Sequence, residues 1–327
     1  MCVQESEEFE RLTGPFRGEL LAYCYRMLGS VQDAEDQVQE TLLRAWRGYG
    51  GFEGRSSVRT WLYRIATNAC LRALETRDRR PLPSGLGGPA QDPDAPLAAA
   101  QPEVPWLQPI PDARFGSAPA DPAAVVVSRA SMRLALIAAL QYLPARQRAV
   151  LILRDVLGWR AAEVAGLLGT SVPAVNSALQ RAREHLETAR PAEDEIGEPD
   201  TPADRDLVGR YAAAFENADM AGLVALLRED AVLEMPPLPG WFRGRAAVAR
   251  FLGIKVMRGM GEFQMMPIAA NGQPALAAYQ RDQAGVYRAH AIQVLTPSGS
   301  GLARIVSFND PRLFEVFGLP ETTLRSA

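Results

Sequence analysis

The sequence predicts a multidomain protein in which two all-helical domains precede an α+β domain. Apolar residues recur every three or four positions in residues 1–80 and again in residues 128–190, which is typical of amphipathic helices. Strand-like runs separated by turn residues follow only after residue 205. A chain of 327 residues is also long enough for two or three domains that each bury a core.

The composition argues against several classes of protein. Apolar residues make up 47% of the chain and charged residues 22%, as in soluble globular proteins. There is no apolar run of about 18 residues and no basic or apolar leader at the start, so we expect a cytoplasmic protein that does not cross a membrane. The three cysteines and two histidines lack disulfide or zinc spacing, so neither a structural metal nor a cofactor is expected.

Charge is distributed unevenly along a chain whose net charge is -3. Residues 44–80 contain nine Arg against three acidic residues, and residues 128–190 contain nine against four. Residues 81–127 and 191–204 are acidic. Two basic blocks between acidic connectors are typical of a protein that binds a polyanion at two places. Charge alone leaves open the alternative of two solvated helix faces.

Proline content marks the domain boundaries. Residues 81–127 contain 11 of the 25 prolines and predict an extended linker that forms no packed element. Within it, residues 104–112 (VPWLQPIPD) predict a short anchoring segment, with a chance apolar island as the alternative. A second, acidic connector covers residues 191–204. The predicted domains are therefore residues 1–80, 128–190 and 205–327.

The first domain is predicted to be a bundle of helices. A helical pattern ends at Gly29, and Asp33 is predicted to cap the next helix. That helix has an apolar stripe that includes Trp46, which we assign to the core. After a glycine-rich loop, a further helix is predicted from about Val58 to Arg77.

This last helix carries a candidate DNA-binding face. Arg64, Asn68 and Arg72 are four residues apart and therefore share one side of the helix. Arginine contacts phosphates and asparagine can recognise a base edge, so the face suits DNA. Three aromatic residues, Tyr49, Phe52 and Trp61, flank this face and suit stacking on unpaired bases. Trp61 can equally belong to the core.

The second basic block predicts a helix-turn-helix. A helix over residues 161–168 is followed by Gly169, which suits a turn with positive φ. Ser171 is a suitable N-cap for the next helix, and Pro173 lies in its first turn, where a missing N–H costs nothing. A hairpin that serves only packing has no need of the polar outer face of this helix, whose candidate residues are Ser171, Asn176, Ser177, Gln180, Arg181 and Arg183.

Three motifs resemble the extracytoplasmic-function (ECF) group of RNA polymerase sigma factors, in the sigma-70 family. Residues 33–46 (DAEDQVQETLLRAW) resemble the helix that binds core polymerase. Residues 61–68 (WLYRIATN) resemble the helix that reads the -10 promoter element. Residues 143–148 (LPARQR), together with the helix-turn-helix, resemble the domain that binds the -35 element. Apart from the linker, the resemblance covers about residues 5–190.

The resemblance implies two partners, core RNA polymerase and promoter DNA. It also implies that the acidic linker threads through the polymerase. The residues implied for polymerase binding are Asp36, Gln39, Glu40 and Arg44. Those for the -10 element are Tyr49, Phe52, Arg59, Trp61, Arg64, Asn68 and Arg72, and those for the -35 element are the six named above.

Residues 205–327 are predicted to form an α+β cone with helices first and a curved antiparallel sheet after. This order is similar to SnoaL-like domains, which include polyketide cyclases, steroid isomerases and non-catalytic members. A general-base role for His290 is conceivable, but a histidine satisfied by its neighbours is the alternative, and no Asp–His pair can be placed. The candidate pocket residues are Tyr211, Glu234, Trp241, Arg281, Tyr287 and His290.

A sigma factor fused to such a domain resembles a subgroup in which the C-terminal extension regulates the sigma domains in place of a separate anti-sigma protein. The candidate regulatory residues are Trp106 and Leu107 in the linker and Asn309, Asp310, Pro311 and Leu313 in the tail. We expect Trp106 to dock on the third domain or near the tail, in a compact and autoregulated state.

The sequence therefore predicts a promoter-specificity subunit of RNA polymerase that is not an enzyme. One alternative is a DNA-binding protein fused to an active SnoaL-like cyclase or isomerase. Another is a sensor whose pocket binds a small apolar ligand. The polymerase-binding helix favours the first function over a simple repressor, because a repressor has no use for it.

Overall fold

The structure is a computed structural model, and it describes residues 3–54, 56–115, 130–189, 201–257, 259–299 and 301–323. The chain divides into two compact units, Met1–Arg80 with Ala113–Pro191 and Pro81–Asp112 with Ala192–Ala327. Most of the predicted linker thus belongs to the unit that contains the C-terminal domain. Residues 116–127 of that linker and residues 191–200 of the acidic connector lie outside the described residues.

The N-terminal helical domain (residues 3–80) has the predicted helical character. Gly29 ends a helix in the left-handed conformation, with φ 68°. The predicted cap at Asp33 is wrong: the next helix begins at Val31, so the hydroxyl of Ser30 accepts from Asp33 N at 3.2 Å. The helices are α1 (Val3–Thr13), α2 (Arg17–Leu28), α3 (Val31–Gly48) and α4 (Val58–Glu75).

Helix α2 is the centre of this domain, since nine of its residues are buried. It packs beside α4, where the rings of Tyr23 and Tyr63 meet edge-on at 5.1 Å and Tyr23 Oη is 2.8 Å from Thr67 Oγ1. Trp46, assigned to the core, is half-buried and packs edge-on against Phe9 at 5.1 Å. This contact joins α1 to α3.

The helix-turn-helix domain (residues 130–189) matches the pattern in the sequence. Gly169 occupies the turn with φ 62°, and Ser171 Oγ accepts from Ala174 N at 3.3 Å. Buried Val164, Val175 and Leu179 lie at the contact between the two helices that flank the turn. The helices are α5 (Leu134–Leu140), α6 (Ala145–Leu151, extended by a π-helical turn Ile152–Val156), α7 (Ala161–Leu168) and α8 (Val172–Ala189).

The C-terminal domain (residues 201–323) combines helices with one sheet in the order β2-β1-β6-β5-β4-β3. The sheet is mixed, so the expectation of an antiparallel sheet is wrong. Strands β1 and β6 are neighbours that run parallel, and β2 to β5 lie between them in the chain. The helices are α9 (Pro202–Glu216), α10 (Met220–Leu226), α11 (Arg245–Phe251) and α12 (Leu313–Val316). The strands are β1 (Leu227–Glu234), β2 (Trp241–Arg243), β3 (Phe263–Ala270), β4 (Gln273–Arg281), β5 (Tyr287–Ser298), β6 (Gly301–Phe308) and β7 (Thr322–Thr323), which pairs with β5.

The two faces of this sheet are covered by different parts of the unit. The inner face joins α9, α10 and α11 in one apolar cluster that includes Leu233, Leu276 and Ile305. Alternation along the strands places the residues between them on the outer face. There Phe314 of α12 packs edge-on against Tyr279 at 4.9 Å. In the described residues, no helix is long and apolar enough to cross a bilayer.

Candidate polymerase, DNA and regulatory surfaces

The candidate polymerase-binding residues form one polar face of α3. Asp36 and Gln39 are exposed, while Arg44 Nε donates to Glu40 Oε1 at 2.6 Å. The same face exposes Leu43, with 43% of its surface accessible. This helix therefore presents charged, polar and apolar groups together on one accessible face.

The candidate -10 residues form an exposed stripe on α4. Arg64, Asn68 and Arg72 are exposed, and each is one helical turn from the next. At the start of the stripe, the half-buried rings of Trp61 and Phe52 stack with centroids 4.6 Å apart. The structure thus brings two aromatic rings, two guanidinium groups and one amide to one side of a helix.

Two residues predicted for the -10 element lie elsewhere. Nine positions separate Arg59 from Asn68, so at about 3.6 residues per turn they lie on opposite sides of α4. Arg59 Nε donates to Glu19 Oε1 at 2.9 Å, and its guanidinium lies over the ring of Tyr63. Tyr49 packs against Phe9, with ring centroids 5.4 Å apart, and not against Phe52. Both corrections arise from contacts between helices, which spacing along one helix does not reveal.

The outer face of α8 carries the candidate -35 residues. Asn176, Ser177, Gln180 and Arg181 are exposed there. Ser171 is exposed too, but its hydroxyl caps the helix. Arg183 is paired with Asp155, whose Oδ1 accepts from Nη2 at 2.7 Å. This hydrogen bond raises the pKa of Arg183, and it aims the guanidinium at the π-helical turn after α6.

The two helical domains of the first unit pack on each other through two buried arginines. Arg26 of α2 donates to Ser131 Oγ at 2.7 Å. Arg148 of α6 donates across to the carbonyl of Met27 and, within its own domain, to Gln141 Oε1 at 2.9 Å and Leu143 O at 3.2 Å. Burial lowers the pKa of both guanidinium groups to about 10. No carboxylate in the described residues pairs with either group.

An aromatic contact lies beside these arginines. The rings of Tyr63, from α4, and Trp159, from the segment before α7, are 5.2 Å apart. The guanidinium of Arg59 lies 5.7 Å from the Trp159 ring. Trp159 is 6% exposed, and its indole N–H has no hydrogen-bond acceptor in the described residues. The helix-turn-helix domain therefore covers part of the buried face of α4, beside α2, while the stripe with Asn68 is exposed.

Residues 81–112, here called the docked segment, cross the sheet of the C-terminal domain. A 3-10 turn, Pro83–Gly85, lies near the start of the segment. The segment makes hydrogen bonds at both edges of the sheet. At β2, Trp241 Nε1 donates to Gly87 O at 2.9 Å. At the β3–β4 turn, Ile110 N donates to Asn271 Oδ1 and Asn271 N donates to Ile110 O, both at 3.0 Å. The expectation of an extended linker without packed elements is therefore wrong, because the sheet supplies the partners that the segment lacks.

A buried ion pair lies beneath this segment. Glu234 of β1 is fully buried, and its Oε2 accepts from Arg304 Nη1 of β6 at 2.7 Å. Its other oxygen accepts from Ser84 N at 2.8 Å. Strand alternation places both charged residues on the outer face of the sheet. One carboxylate therefore joins two strands and the docked segment.

The expected anchor, Trp106, is buried in this unit, with 8% of its surface exposed. Its Nε1 donates to Gln101 O at 2.8 Å, and Gln101 N donates to Pro237 O at 2.9 Å. The adjacent carbonyl of Pro236 accepts from Asn309 N in the tail at 2.8 Å. The Pro236–Pro237 turn therefore binds both the docked segment and the tail.

The other candidate regulatory residues take part in this arrangement. Leu107 is fully buried and its N–H donates to Pro81 O at 3.1 Å. Asp310 accepts from Arg312 N at 3.1 Å, and Pro311 O accepts from Phe314 N at 3.1 Å. Leu313 is buried at the start of α12. The tail is thus a turn that leads into a packed helix.

The six candidate pocket residues do not converge on one site. Tyr211 lies within the inner apolar cluster and donates to Gln293 Oε1 at 3.0 Å; burial raises its pKa. Glu234 and Trp241 bind the docked segment, as described above. The other three lie at or near the loop that precedes β3: Arg281 lines an open cleft of about 470 Å³, Tyr287 Oη donates to Gly261 O at 2.8 Å, and His290 packs against Phe263.

Three residues at the docked segment escaped sequence analysis. Arg304 lies 70 positions from its partner Glu234, and Asn271 lies 161 positions from its partner Ile110. Pro237 is likewise distant in sequence from its partner Gln101. The Asn271-Gly272 pair was visible as a turn, with φ 58° and 65°. Its second role as an acceptor for Ile110 depends on tertiary contacts only.

Comparison with known proteins finds relatives for all three domains. Residues 14–80 match sigma-70 region 2, residues 133–186 match sigma-70 region 4, and residues 208–302 match the SnoaL-like domain. The solved structure of the ECF sigma factor SigJ from Mycobacterium tuberculosis is similar, with a TM-score of 0.60 at 26% identity, covering 97% of this chain and 99% of SigJ.

Two curated relatives from the same organism extend over most of the chain. The ECF RNA polymerase sigma factor SigJ is 33% identical over 305 residues, covering 89% of this chain and 86% of SigJ. The ECF RNA polymerase sigma factor SigG is 51% identical over 317 residues, covering 96% of this chain and 85% of SigG. The chain belongs to the ECF RNA polymerase sigma factors and carries a C-terminal SnoaL-like domain.

Proposed function

We propose that this sigma factor recruits core polymerase through α3 and recognises promoters through α4 and α8. The observation that carries the proposal is the exposed stripe of α4, where Arg64, Asn68 and Arg72 follow the stacked Phe52–Trp61 pair. Guanidinium groups bind phosphates, aromatic rings stack on unpaired bases and an amide can read one. The proposed working location is the cytoplasm, where core polymerase and promoters are found.

The outer face of α8 supports recognition of a second element. Asn176 and Gln180 are exposed, one turn apart, on a helix whose N-terminus follows a tight turn. In helix-turn-helix proteins the second helix enters the major groove, where such amides read adenine and arginines read guanine. Arg181 is the arginine of this face that we assign to DNA, since Arg183 is held by Asp155.

The test is promoter-dependent initiation by purified full-length protein with core polymerase on a promoter library. We expect Asn68→Ala and Gln180→Ala each to weaken binding to the selected promoters by about 1–3 kcal/mol. Asn68→Ala should relax the base preference at one position of the -10 element, and Gln180→Ala at one position of the -35 element. Glu187→Gln, an exposed change on α8, is the matched control. Wild-type activity in both variants would contradict the assignment.

Recruitment through α3 has its own test. Asp36→Ala with Gln39→Ala removes two exposed polar groups without disturbing the core of the helix. We expect weaker binding to core polymerase in a pull-down titration and unchanged unfolding of the free protein. Gln32→Ala, exposed one turn before Asp36, is the control.

We infer that the C-terminal domain regulates the sigma domains through the docked segment. This segment connects the two sigma domains along the chain, and sigma linkers resembling it thread through the polymerase. A segment bound by Trp241, Asn271 and Glu234 is not available for that path. Docking and threading therefore compete, and release of the segment raises activity.

The competition is tested with Trp106→Ala, which removes a buried ring from the docked segment. We expect a higher yield of initiation, because the docked state loses the stabilisation of that ring. Leu97→Ala in the same segment is the control, since Leu97 is 42% exposed. An unchanged yield in Trp106→Ala and in a chain lacking residues 309–327 would contradict the regulation.

We propose a non-catalytic role for the SnoaL-like domain. The polar contact within its inner cluster is the Tyr211–Gln293 hydrogen bond, and the raised pKa of Tyr211 keeps that phenol protonated. Glu234, the carboxylate among the candidate pocket residues, lies on the outer face of the sheet and is paired with Arg304. A small apolar ligand held in the inner cluster would be detected by native mass spectrometry of the purified protein.

A further inference from the structure

Two cysteines lie together between the helices of the N-terminal domain. Along α2 and α4, Glu19 pairs with Arg59 at 2.9 Å, and one turn further Tyr23 packs on Tyr63. The next contact joins Cys24 to Cys70. Both thiols are free and fully buried, and they are hydrogen-bonded to each other.

This thiol pair has no part in the proposed function. Polymerase and DNA contacts use the outer faces of α3, α4 and α8, whereas Cys24 and Cys70 face the core. Two sulfurs already in contact need little movement to reach the S–S bond length of about 2.05 Å. Neighbouring thiols also suit the reaction in which a sulfenic acid on one cysteine is captured by the other.

The helix-turn-helix domain covers one end of this pair. Arg148 of that domain donates to the carbonyl of Met27, which lies one turn after Cys24 on α2. Its guanidinium is also close enough to Cys70 to interact with it electrostatically. Removal of the helix-turn-helix domain from α2 would therefore open the end of the pair to solvent.

Contact between the helix-turn-helix domain and the N-terminal helical domain keeps the two thiols unreactive. The hydrogen bond that the Cys70 thiol donates to Cys24, together with burial, raises the pKa of Cys70 well above its usual range. Thiolate is the nucleophile in cysteine oxidation, so a raised pKa slows that reaction. Access of water to the thiols would favour the thiolate once the interface opens.

We propose that Cys24 and Cys70 form a redox modification site, which hydrogen peroxide converts to an intramolecular disulfide when the helix-turn-helix domain leaves the N-terminal helical domain. One thiolate attacks a peroxide oxygen, forming a sulfenic acid and, with a proton, one water. The second sulfur displaces the sulfenic hydroxyl as another water. Two thiols and one peroxide thus yield one disulfide and two waters, and the two electrons pass to the peroxide.

The disulfide would join the DNA-binding helix to the centre of its domain. Cys70 lies between Asn68 and Arg72 on α4, so a covalent bond to α2 fixes the position of the exposed stripe. It also closes the chain between residues 24 and 70, which restricts the unfolded state. We expect the oxidised protein to melt at a higher temperature than the reduced protein in buffer without reductant.

The test uses full-length protein with Cys2→Ser, so that only the two buried thiols remain. The reduced protein is treated with hydrogen peroxide, quenched at intervals and digested without reductant for mass spectrometry. We expect one peptide pair linked through Cys24 and Cys70 with the loss of two hydrogens. Cys24→Ser and Cys70→Ser should each abolish it. Independent sulfinic or sulfonic acids without a linked pair would overturn the proposal.

Dependence on the interface is tested with Arg148→Met, which removes the bonds to Met27 and Gln141 while retaining much of the side-chain volume. We expect disulfide formation to become several-fold faster, because the oxidation rate follows the population of the open state. Arg146→Met, exposed on the same helix, should keep the rate of the parent. Equal rates in all three proteins would overturn the role of the interface.

Trp159→Ala gives a second, independent opening of the same interface. It removes the ring that packs on Tyr63 and leaves Arg148 in place. Circular dichroism of each reduced variant shows whether both helical domains remain folded. Faster oxidation in a folded variant supports the proposal, and faster oxidation only in an unfolded variant contradicts it. Because the readout is a covalent bond in the free protein, it stands apart from promoter recognition.

Discussion

Two arginines, Arg304 in the second unit and Arg148 in the first, are stabilised in different ways. Arg304 in the C-terminal domain is paired with the fully buried carboxylate of Glu234 at 2.7 Å. Arg148 in the helix-turn-helix domain is held by the carbonyls of Met27 and Leu143 and by the amide of Gln141. Arg304 joins β6 to β1 through this pair, and Arg148 joins the helix-turn-helix domain to α2.

The two contacts differ in how much free energy is needed to open them. An ion pair in the interior is costly to break, because either partner alone is a buried charge without compensation. A guanidinium held by neutral acceptors already carries part of that cost, and its pKa falls to about 10 for this reason. When the interface opens, water solvates Arg148 again. The Arg304 pair is therefore suited to a lasting contact and the Arg148 contact to a reversible one.

The largest effect is expected for Arg304→Met. It leaves the Glu234 carboxylate buried without its cation, which should destabilise the C-terminal domain by about 3–5 kcal/mol in urea unfolding. Replacing both residues, Arg304→Met with Glu234→Leu, should recover much of this loss. A double variant as unstable as the single one would show that the pair is not the source of the effect.

A smaller effect is expected for Arg148→Met. Lost hydrogen bonds destabilise the first unit, but removal of a poorly compensated charge offsets part of that loss. The free energy of unfolding should therefore fall by about 1–2 kcal/mol. Urea unfolding of this variant beside Arg304→Met measures the difference directly. A loss as large as that of Arg304→Met would contradict the distinction between lasting and reversible contacts.

A still smaller loss of stability is expected where the docked segment meets the β3–β4 turn. Asn271→Gly keeps a turn with positive φ but removes the acceptor for Ile110 N, at a cost of about 1 kcal/mol. Asn271→Asp retains both the acceptor and the tolerance for this turn, so it serves as the control. Amide hydrogen exchange at residues 107–112 should quicken in the first variant only.

The smallest effect concerns pH. Burial lowers the pKa of His290, and the nearby Glu262 carboxylate opposes this only in part. As pH falls through about 6.5, the unfolded state binds the proton first, so the C-terminal domain loses stability. His290→Gln should flatten the slope of stability between pH 7 and pH 5.

Local features of the helical domains could be predicted because each depends on neighbours in sequence. The Gly169 turn, the Ser171 cap and the Arg64–Asn68–Arg72 stripe follow from helical periodicity and turn chemistry, and the structure has all three. Arg59 shows where such reasoning stops. Its residue type suits DNA, but a carboxylate on α2 and an aromatic ring from another domain hold it.

The sequence by itself determined the sigma-factor domains, their order and the outer faces of α3, α4 and α8, because surface residues on helices need only a correct period. Tertiary structure alone decided what the proline-rich segment does. No local rule states that Ser84 meets Glu234, or that Ile110 meets Asn271, since these partners are about 150 residues apart. Burial of a polar group is favourable only where its partner lies, and folding alone brings the two together.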